Sequence, residues 1–313
     1  MGTWGVPGDG QIMDGRPFDR AMAKRHGLGR DSVTRLIREG RLRAVVRGVY
    51  VDATVPDDLP SRAEALHLRL PPDAVVCRRT AAWLLGVDGA GPGEDRATLP
   101  VECAVPTGRT PVRRPGVIGV AAPPDREIVT VDGIPCTTPT RTAVDVLRWC
   151  PPHVGLAAVD IMAARRLVEV EQVQAKVEEF AGDPGVRRAR YLASLIEPLT
   201  QSKGETWLRL RMVDAGFPRP RAQIPVVSPW GDLALLDLGW DEERVAVEYD
   251  GEEFHSTPAQ RAHDRWRRDW IERERHWRLL AVGKGEVLGP SLALERAVGE
   301  LLSREPTIIR RRW

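Results

Sequence analysis

The chain has 313 residues, 42% of them hydrophobic, and its 46 basic and 44 acidic side chains leave a net charge of +2. That length accommodates two or three domains with cores of their own, and near-neutrality excludes a whole-molecule field that would draw in polyanions. No stretch approaches the roughly 18 apolar residues of a membrane span, and Cys77, Cys103, Cys136 and Cys150 show no paired spacing, which argues against a zinc cage or a disulfide framework and predicts a reducing, cytoplasmic setting.

Any nucleic-acid surface must therefore come from a local cluster, and the first one appears early. Between Arg16 and Gly48 stand ten Arg or Lys residues against three acids. Arginine is the common base throughout, with lysine only at 24, 176, 203 and 284, which lowers the weight of any single arginine. Phe18 to His26 has helical spacing and Gly27 is a natural stop. Asp31-Ser32 can cap a second helix over Ser32 to Glu39, which Gly40 ends. Leu42 to Val46 and Val49 to Val51, separated by Arg47-Gly48, form a short hairpin. Helix, turn, helix and hairpin in this order predict a winged helix-turn-helix over residues 1–58. Arg30, Thr34, Arg35 and Arg38 are its groove-side candidates, and Arg43 and Arg47 lie on the wing. A helical module that docks protein is the plainer alternative.

Residues 59–195 predict a mixed α+β connecting domain. Ser61 to Leu70 and Arg79 to Leu85 have helical spacing, Val101 to Val105 and Gly116 to Val120 are strand-like, and Thr138-Pro139 opens a helix with a threonine cap and a tolerated proline. His67 and His153 are isolated, and no constellation in this stretch points to chemistry.

Residues 196–313 carry the sharpest pattern. Ser202-Lys203-Gly204-Glu205 predicts a helix running to Ala215, stopped by Gly216, with Glu205 available for reciprocal capping with Ser202. Leu233 to Leu238 and Val245 to Asp250 predict a hairpin around Asp241-Glu242-Glu243-Arg244. Strand alternation sends Glu248 and Asp250 to one face and Val245, Val247 and Tyr249 to the other. A turn centred on Glu242-Glu243 sets Asp237 opposite Glu248, close enough for their oxygens to share a hard divalent cation such as Mg2+ or Mn2+. Gly251 permits a sharp turn after Asp250, and His255 follows within reach of a bound water. Two strand-facing carboxylates can equally belong to a solvated edge. Thr257-Pro258-Ala259-Gln260 then opens a helix to about Arg275, on which Trp266 and Trp270, one turn apart, are expected to bury, while Arg267 and Arg268 are available to DNA. A strand over Arg278 to Val282 and a helix over Ser291 to Leu302 complete an α-β-β-α-β-α order with a parallel last pair.

The succession Glu205, Asp237, Glu248-x-Asp250-Gly251, His255, Asp264-x-x-Arg267-Arg268-Asp269 and Trp277-Arg278-Leu279-Leu280 resembles the nuclease-like domain related to very-short-patch mismatch-repair endonucleases, within the restriction-endonuclease-like PD-(D/E)XK superfamily. Residues 15–52 are similar to the winged-helix module of AbiEi-like antitoxins, and the middle piece, with Arg79-Thr80-Ala81-Ala82-Trp83-Leu84-Leu85-Gly86, to the connecting domain that accompanies it. The nuclease resemblance implies that Asp237 is the central Mg2+ ligand, Glu248 the second acid, Asp250 the occupant of the usual lysine position, His255 the group beside metal-bound water, and Glu205 a helix-borne acid facing the same cleft. The first expectation is thus a metal-dependent DNA endonuclease positioned by the winged helix. The alternative is a non-catalytic, antitoxin-like DNA-binding regulator with a degenerate nuclease fold, to which an acid in the lysine position points. DNA is the expected partner, RNA the alternative substrate, and a homodimer a compatible assembly.

Overall fold

The structure, a computed structural model, describes residues 12–105, 112, 114–227, 233–251 and 258–307, with the backbone alone over 258–265. It is a mixed α+β molecule with twelve α-helices and three sheets among the described residues. The chain divides into two compact units, Met1–Cys150 and Pro151–Trp313.

In the first unit, β1 (Phe18–Asp19), α1 (Arg20–Arg25), α2 (Arg30–Arg38), β2 (Leu42–Val46) and β3 (Val49–Asp52) come first. Their sheet has the order β1-β3-β2, antiparallel throughout, with Phe18 paired to Tyr50 and Arg43 to Val51. Helix α1 is shorter than its periodicity suggests because Phe18 is drawn into the sheet, leaving Asp19 as the cap that accepts from the Met22 N–H at 2.8 Å. Helix α2 begins at Arg30, two residues before the Ser32 start expected, with extended Gly29 as its cap and Asp31 within the first turn, where an acid favours the helix dipole.

The unit continues through α3 (Leu59–Arg69), β4 (Val75–Val76), α4 (Arg78–Leu84), β5 (Val101–Val105), β6 (Val117–Ala121), β7 (Ile128–Val131), β8 (Ile134–Thr137) and α5 (Pro139–Trp149). These strands form a five-stranded mixed sheet in the order β6-β5-β4-β8-β7, with β5–β6 and β4–β8 parallel. Val45, Val46, Val49 and Val51 of the early hairpin pack into one core with Leu66, Trp83, Cys103 and Cys136. The hairpin is therefore not insulated from the segment after residue 58, since both bury their apolar faces together.

The second unit opens with α6 (Pro152–Ala164), α7 (Val170–Glu178), α8 (Val186–Ala193) and α9 (Lys203–Asp214). There follow β9 (Arg221–Val227), β10 (Leu233–Trp240), β11 (Val245–Asp250), α10 (Pro258–Arg275), β12 (Arg278–Gly283), α11 (Lys284–Leu288) and α12 (Ala293–Leu302). The sheet order is β12-β11-β10-β9, and only the β11–β12 pair is parallel, as a connection through helix α10 permits. One face packs Leu238, Val245 and Val247 against Leu208, Met212 and Val298, and the other packs Ile224, Leu236 and Ala246 against Trp270 and Ile271. The result is a helix–sheet–helix sandwich. Strand β9 was not expected, although its strict alternation of exposed and buried residues was legible; Pro225 suits only an edge strand, and β9 is the edge.

Helix α9 is buried all round and holds two ion pairs out of water. Arg209 pairs with Asp160, both fully buried, and Asp160 also accepts from the Thr206 hydroxyl at 2.7 Å and the Glu197 N–H at 2.9 Å. Arg211 pairs with Glu295 at 2.6 Å and donates to the Val287 carbonyl at 2.7 Å, tying α9 to α11 and α12.

Candidate functional site

In the first unit, the turn of a helix sorts the residues of α2 by face. Val33 and Leu36 are buried against Phe18, Ala23, Leu42 and Tyr50, which leaves Arg30, Thr34, Arg35 and Arg38 exposed on the opposite side. Thr34 bonds back to the Arg30 carbonyl at 3.0 Å, and Arg35 makes a loose pair with Glu39 at 3.4 Å. Exposed pairs of this kind are weak, so Arg35 is readily turned to another anion. The two wing candidates differ. Arg47 is exposed at the β2–β3 turn, whereas Arg43 is half-buried and donates to the carbonyls of Val55 and Pro56 at 3.0 and 2.9 Å.

In the second unit, the register of β10 against β11 pairs Leu238 with Val247, so the next residues outward are Asp237 and Glu248. Asp237 Oδ2 accepts from the Tyr249 N–H at 2.8 Å. Glu205, buried on the first turn of α9, has Oε2 between the Gln201 N–H at 3.0 Å and the Gln223 amide at 2.9 Å. Ser202 does cap the helix, accepting from the Glu205 N–H at 3.2 Å, but the carboxylate does not answer with a bond to the Ser202 N–H; it turns toward the sheet. Glu248 faces α10, where Arg267 Nη2 donates to it at 3.2 Å and to the Leu235 carbonyl at 2.7 Å, with Arg268 at 3.9 Å.

Burial, the anionic Glu205 and the anionic Glu248 together push the Asp237 carboxyl up to about 7, against the opposing pull of the Tyr249 N–H and Arg267. Glu205, Asp237, Glu248 and Arg267 thus form one electrostatically coupled group. Asp250 is exposed at the end of β11, and His255 lies outside the described residues. Among the described residues no three His, Cys, Asp or Glu side chains converge tightly enough to hold a metal ion. Trp270 is buried as expected, but Trp266 is 46% exposed, because α10 turns its apolar stripe through Trp270 and Ile271 and leaves Trp266 off it.

Gln223 is a site residue that sequence analysis missed. It has a left-handed backbone, φ 50°, in line with Asp237 across the β9–β10 ladder. On both strands the packing changes sides here: Ile224 and Leu236 belong to the Trp270 core, while Ala222 and Leu238 belong to the Leu208 core. Burial still alternates along β9 while its buried residues change sides, so residue type carries no signal of the change and only the folded ladder exposes it.

Comparison with known proteins bears on both units. Residues 74–195 match the family described as AbiEi antitoxin C-terminal domain. The chain is also 30% identical over 248 residues to the uncharacterized protein Rv2248 of Mycobacterium tuberculosis strain H37Rv, covering 79% of this chain and 87% of the relative. The uncharacterized protein MT2308 of strain CDC 1551 matches over the same extent. The chain belongs to the family of these mycobacterial proteins. The antitoxin match falls on the stretch from β4 through α8, where sequence analysis found no chemistry, and none of these similarities names a nuclease. No helix among the described residues is long and apolar enough to cross a membrane.

Proposed function

We propose that the chain is a DNA-binding regulator of the antitoxin type. The observation that carries this reading is the exposed basic face of α2, backed by two buried residues and followed by a hairpin, within a chain whose residues 74–195 match an antitoxin domain. In this reading residues 1–58 are a winged helix-turn-helix, 59–195 the antitoxin-type connecting domain and 196–313 a body of restriction-endonuclease-like fold. Helix α2 enters the major groove and Arg47 meets the flanking backbone. A homodimer would present two such helices to successive half-sites. The four buried thiols suit a reducing cytoplasm. Titrating labelled duplex DNA tests the proposal: binding should weaken steeply with salt, and Arg35→Ala with Arg38→Ala should reduce affinity about tenfold or more. Binding that is unchanged in this double variant would sink it.

A second reading, metal-dependent phosphodiester hydrolysis in the very-short-patch-repair manner, is favoured by one observation. Glu205 and Glu248 both lie near enough to Asp237 to raise its carboxyl, although the three do not converge tightly as they stand. The donors are hard oxygens, which fit Mg2+ or Mn2+, with Asp237 and Glu248 as ligands and Asp250 within the same strand. Such an ion would lower the pKa of its water and neutralise phosphate charge. Arg267, already on Glu248, would hold a phosphate oxygen in place of the missing lysine, and His255 would move the proton. Incubating plasmid with the protein and Mn2+ checks it. Cleavage that persists in Asp237→Ala would reject this site, and its absence in the wild type would leave the regulator alone.

A further inference from the structure

Three arginines in the first unit gather without the acids that neutralise several of its other arginines. Arg62 and Arg96 share Asp57, Arg79 pairs with Glu94, and Arg141 pairs with Glu127 and Asp145. Among the described residues, no ion pair to Asp or Glu involves Arg47, Arg69 or Arg114. Arg69, the last residue of α3, donates through Nη2 to the Pro115 carbonyl, and Arg114 Nη1 donates back to the Arg69 carbonyl at 3.1 Å. Gly116, at φ 79°, brings the same loop so near the β2–β3 turn that a side chain there would strike the stem of Arg47. Arg69 Nε is buried and has no hydrogen-bond partner. Burial first, then Arg114 and Arg47, hold Arg69 below the usual arginine range, and only Asp19 pulls the other way. Asp19 is itself engaged in capping α1.

Mutual repulsion among three guanidiniums is unfavourable unless an anion compensates, and the C-terminal dipole of α3 offsets only a fraction of it. Planar guanidiniums held by backbone carbonyls are preorganised for the oxygens of a phosphate. Strand β2, on which α2 packs, runs directly into the turn that carries Arg47, so the cluster and α2 belong to one compact module. We propose that Arg47, Arg69 and Arg114 form a second phosphate-binding site, which grips the nucleic-acid backbone beside the wing. This rests on the DNA-binding reading and extends it to α3 and the 114–116 loop, which the helix-turn-helix pattern does not include.

The experiment is fluorescence anisotropy of the full chain with a labelled random-sequence duplex at several salt concentrations. Arg69→Gln with Arg114→Gln should weaken binding about tenfold and flatten the slope of log K against log salt by roughly 0.9 for each phosphate no longer neutralised. Arg114→Lys should retain most of the affinity, because lysine keeps the point charge. Arg126→Gln, an exposed arginine of the same unit, removes the same single charge as Arg114→Gln and should change binding less than about twofold. Circular dichroism checks folding, and Arg114→Gln alone carries the test if the double variant melts, since Arg114 is exposed. If the double variant, or Arg114→Gln in that case, binds like Arg126→Gln while Arg35→Ala still loses affinity, the cluster inference fails and the DNA reading stands. A wild type that binds no duplex overturns both.

Discussion

Asp237 shows how a single carboxyl can report on its surroundings. Its folded pKa, about 7, lies above the ordinary value of 3.8, so the folded state holds an extra proton between those limits. Stability from this group is therefore greatest on the acid side and is lost as pH rises through the folded value. Asp237→Asn keeps an oxygen for the Tyr249 N–H but cannot ionise. It should melt higher than the wild type at about pH 8, with the difference shrinking toward about pH 5. If the carboxylates bind a metal, Mn2+ should raise the wild-type melting temperature at the higher pH and leave the variant unmoved. A melting difference independent of pH would mean that Asp237 is not held against its neighbours as the geometry requires. The opposition of Asp237 and Glu248 was legible in the sequence, because a four-residue turn and strand alternation fix it. The reach of Glu205 was only half legible: its capping position could be read from Ser202, but its turn toward Gln223 depends on an irregular strand.

Among the elements, α9 carries the largest share of the second unit. It packs beneath the sheet so closely that a methyl group on Gly204 would collide with the Tyr249 ring, although Gly204 has ordinary helical backbone. Replacing a helical glycine by alanine usually stabilises by up to about 1 kcal/mol. Here Gly204→Ala should destabilise by about 1–3 kcal/mol, the range of overpacked cores, as measured by denaturant unfolding. A stabilised variant would show that helix and strand have room to part. The capping residues of α2, α5 and α9 were enough to place their starts within about two residues. Arg209 and Arg211 were not predicted inside, because burying a guanidinium is favourable only beside Asp160 and Glu295, distant in sequence. Strand β9 escaped for the converse reason: Pro225 fits a strand only at a sheet edge, and its edge position is set by the tertiary pairing.

At the scale of the molecule, two compact units with separate cores should unfold in two calorimetric transitions. Gly204→Ala identifies the transition of the second unit by lowering it alone. Duplex DNA, if the basic layer of α2 and the wing binds it, should raise the other transition; ligand at 100 times its Kd adds about 2.7 kcal/mol. Mn2+, if the second unit binds it, should act on the Gly204 transition. Both ligands shifting the same transition would contradict this assignment of sites to units.

By itself the sequence determined the mixed α+β class, most helices, the early hairpin, the acid-bearing hairpin and the parallel last strand, because periodicity, capping residues and turn chemistry act over a few residues. Only the tertiary structure decided that the early hairpin shares a core with the segment after it, that Asp250 lies exposed while Glu205 joins Asp237, and that Arg69 and Arg114 crowd Arg47. Those outcomes depend on contacts between residues far apart in the chain, where packing and unscreened charge, rather than local spacing, set the free energy.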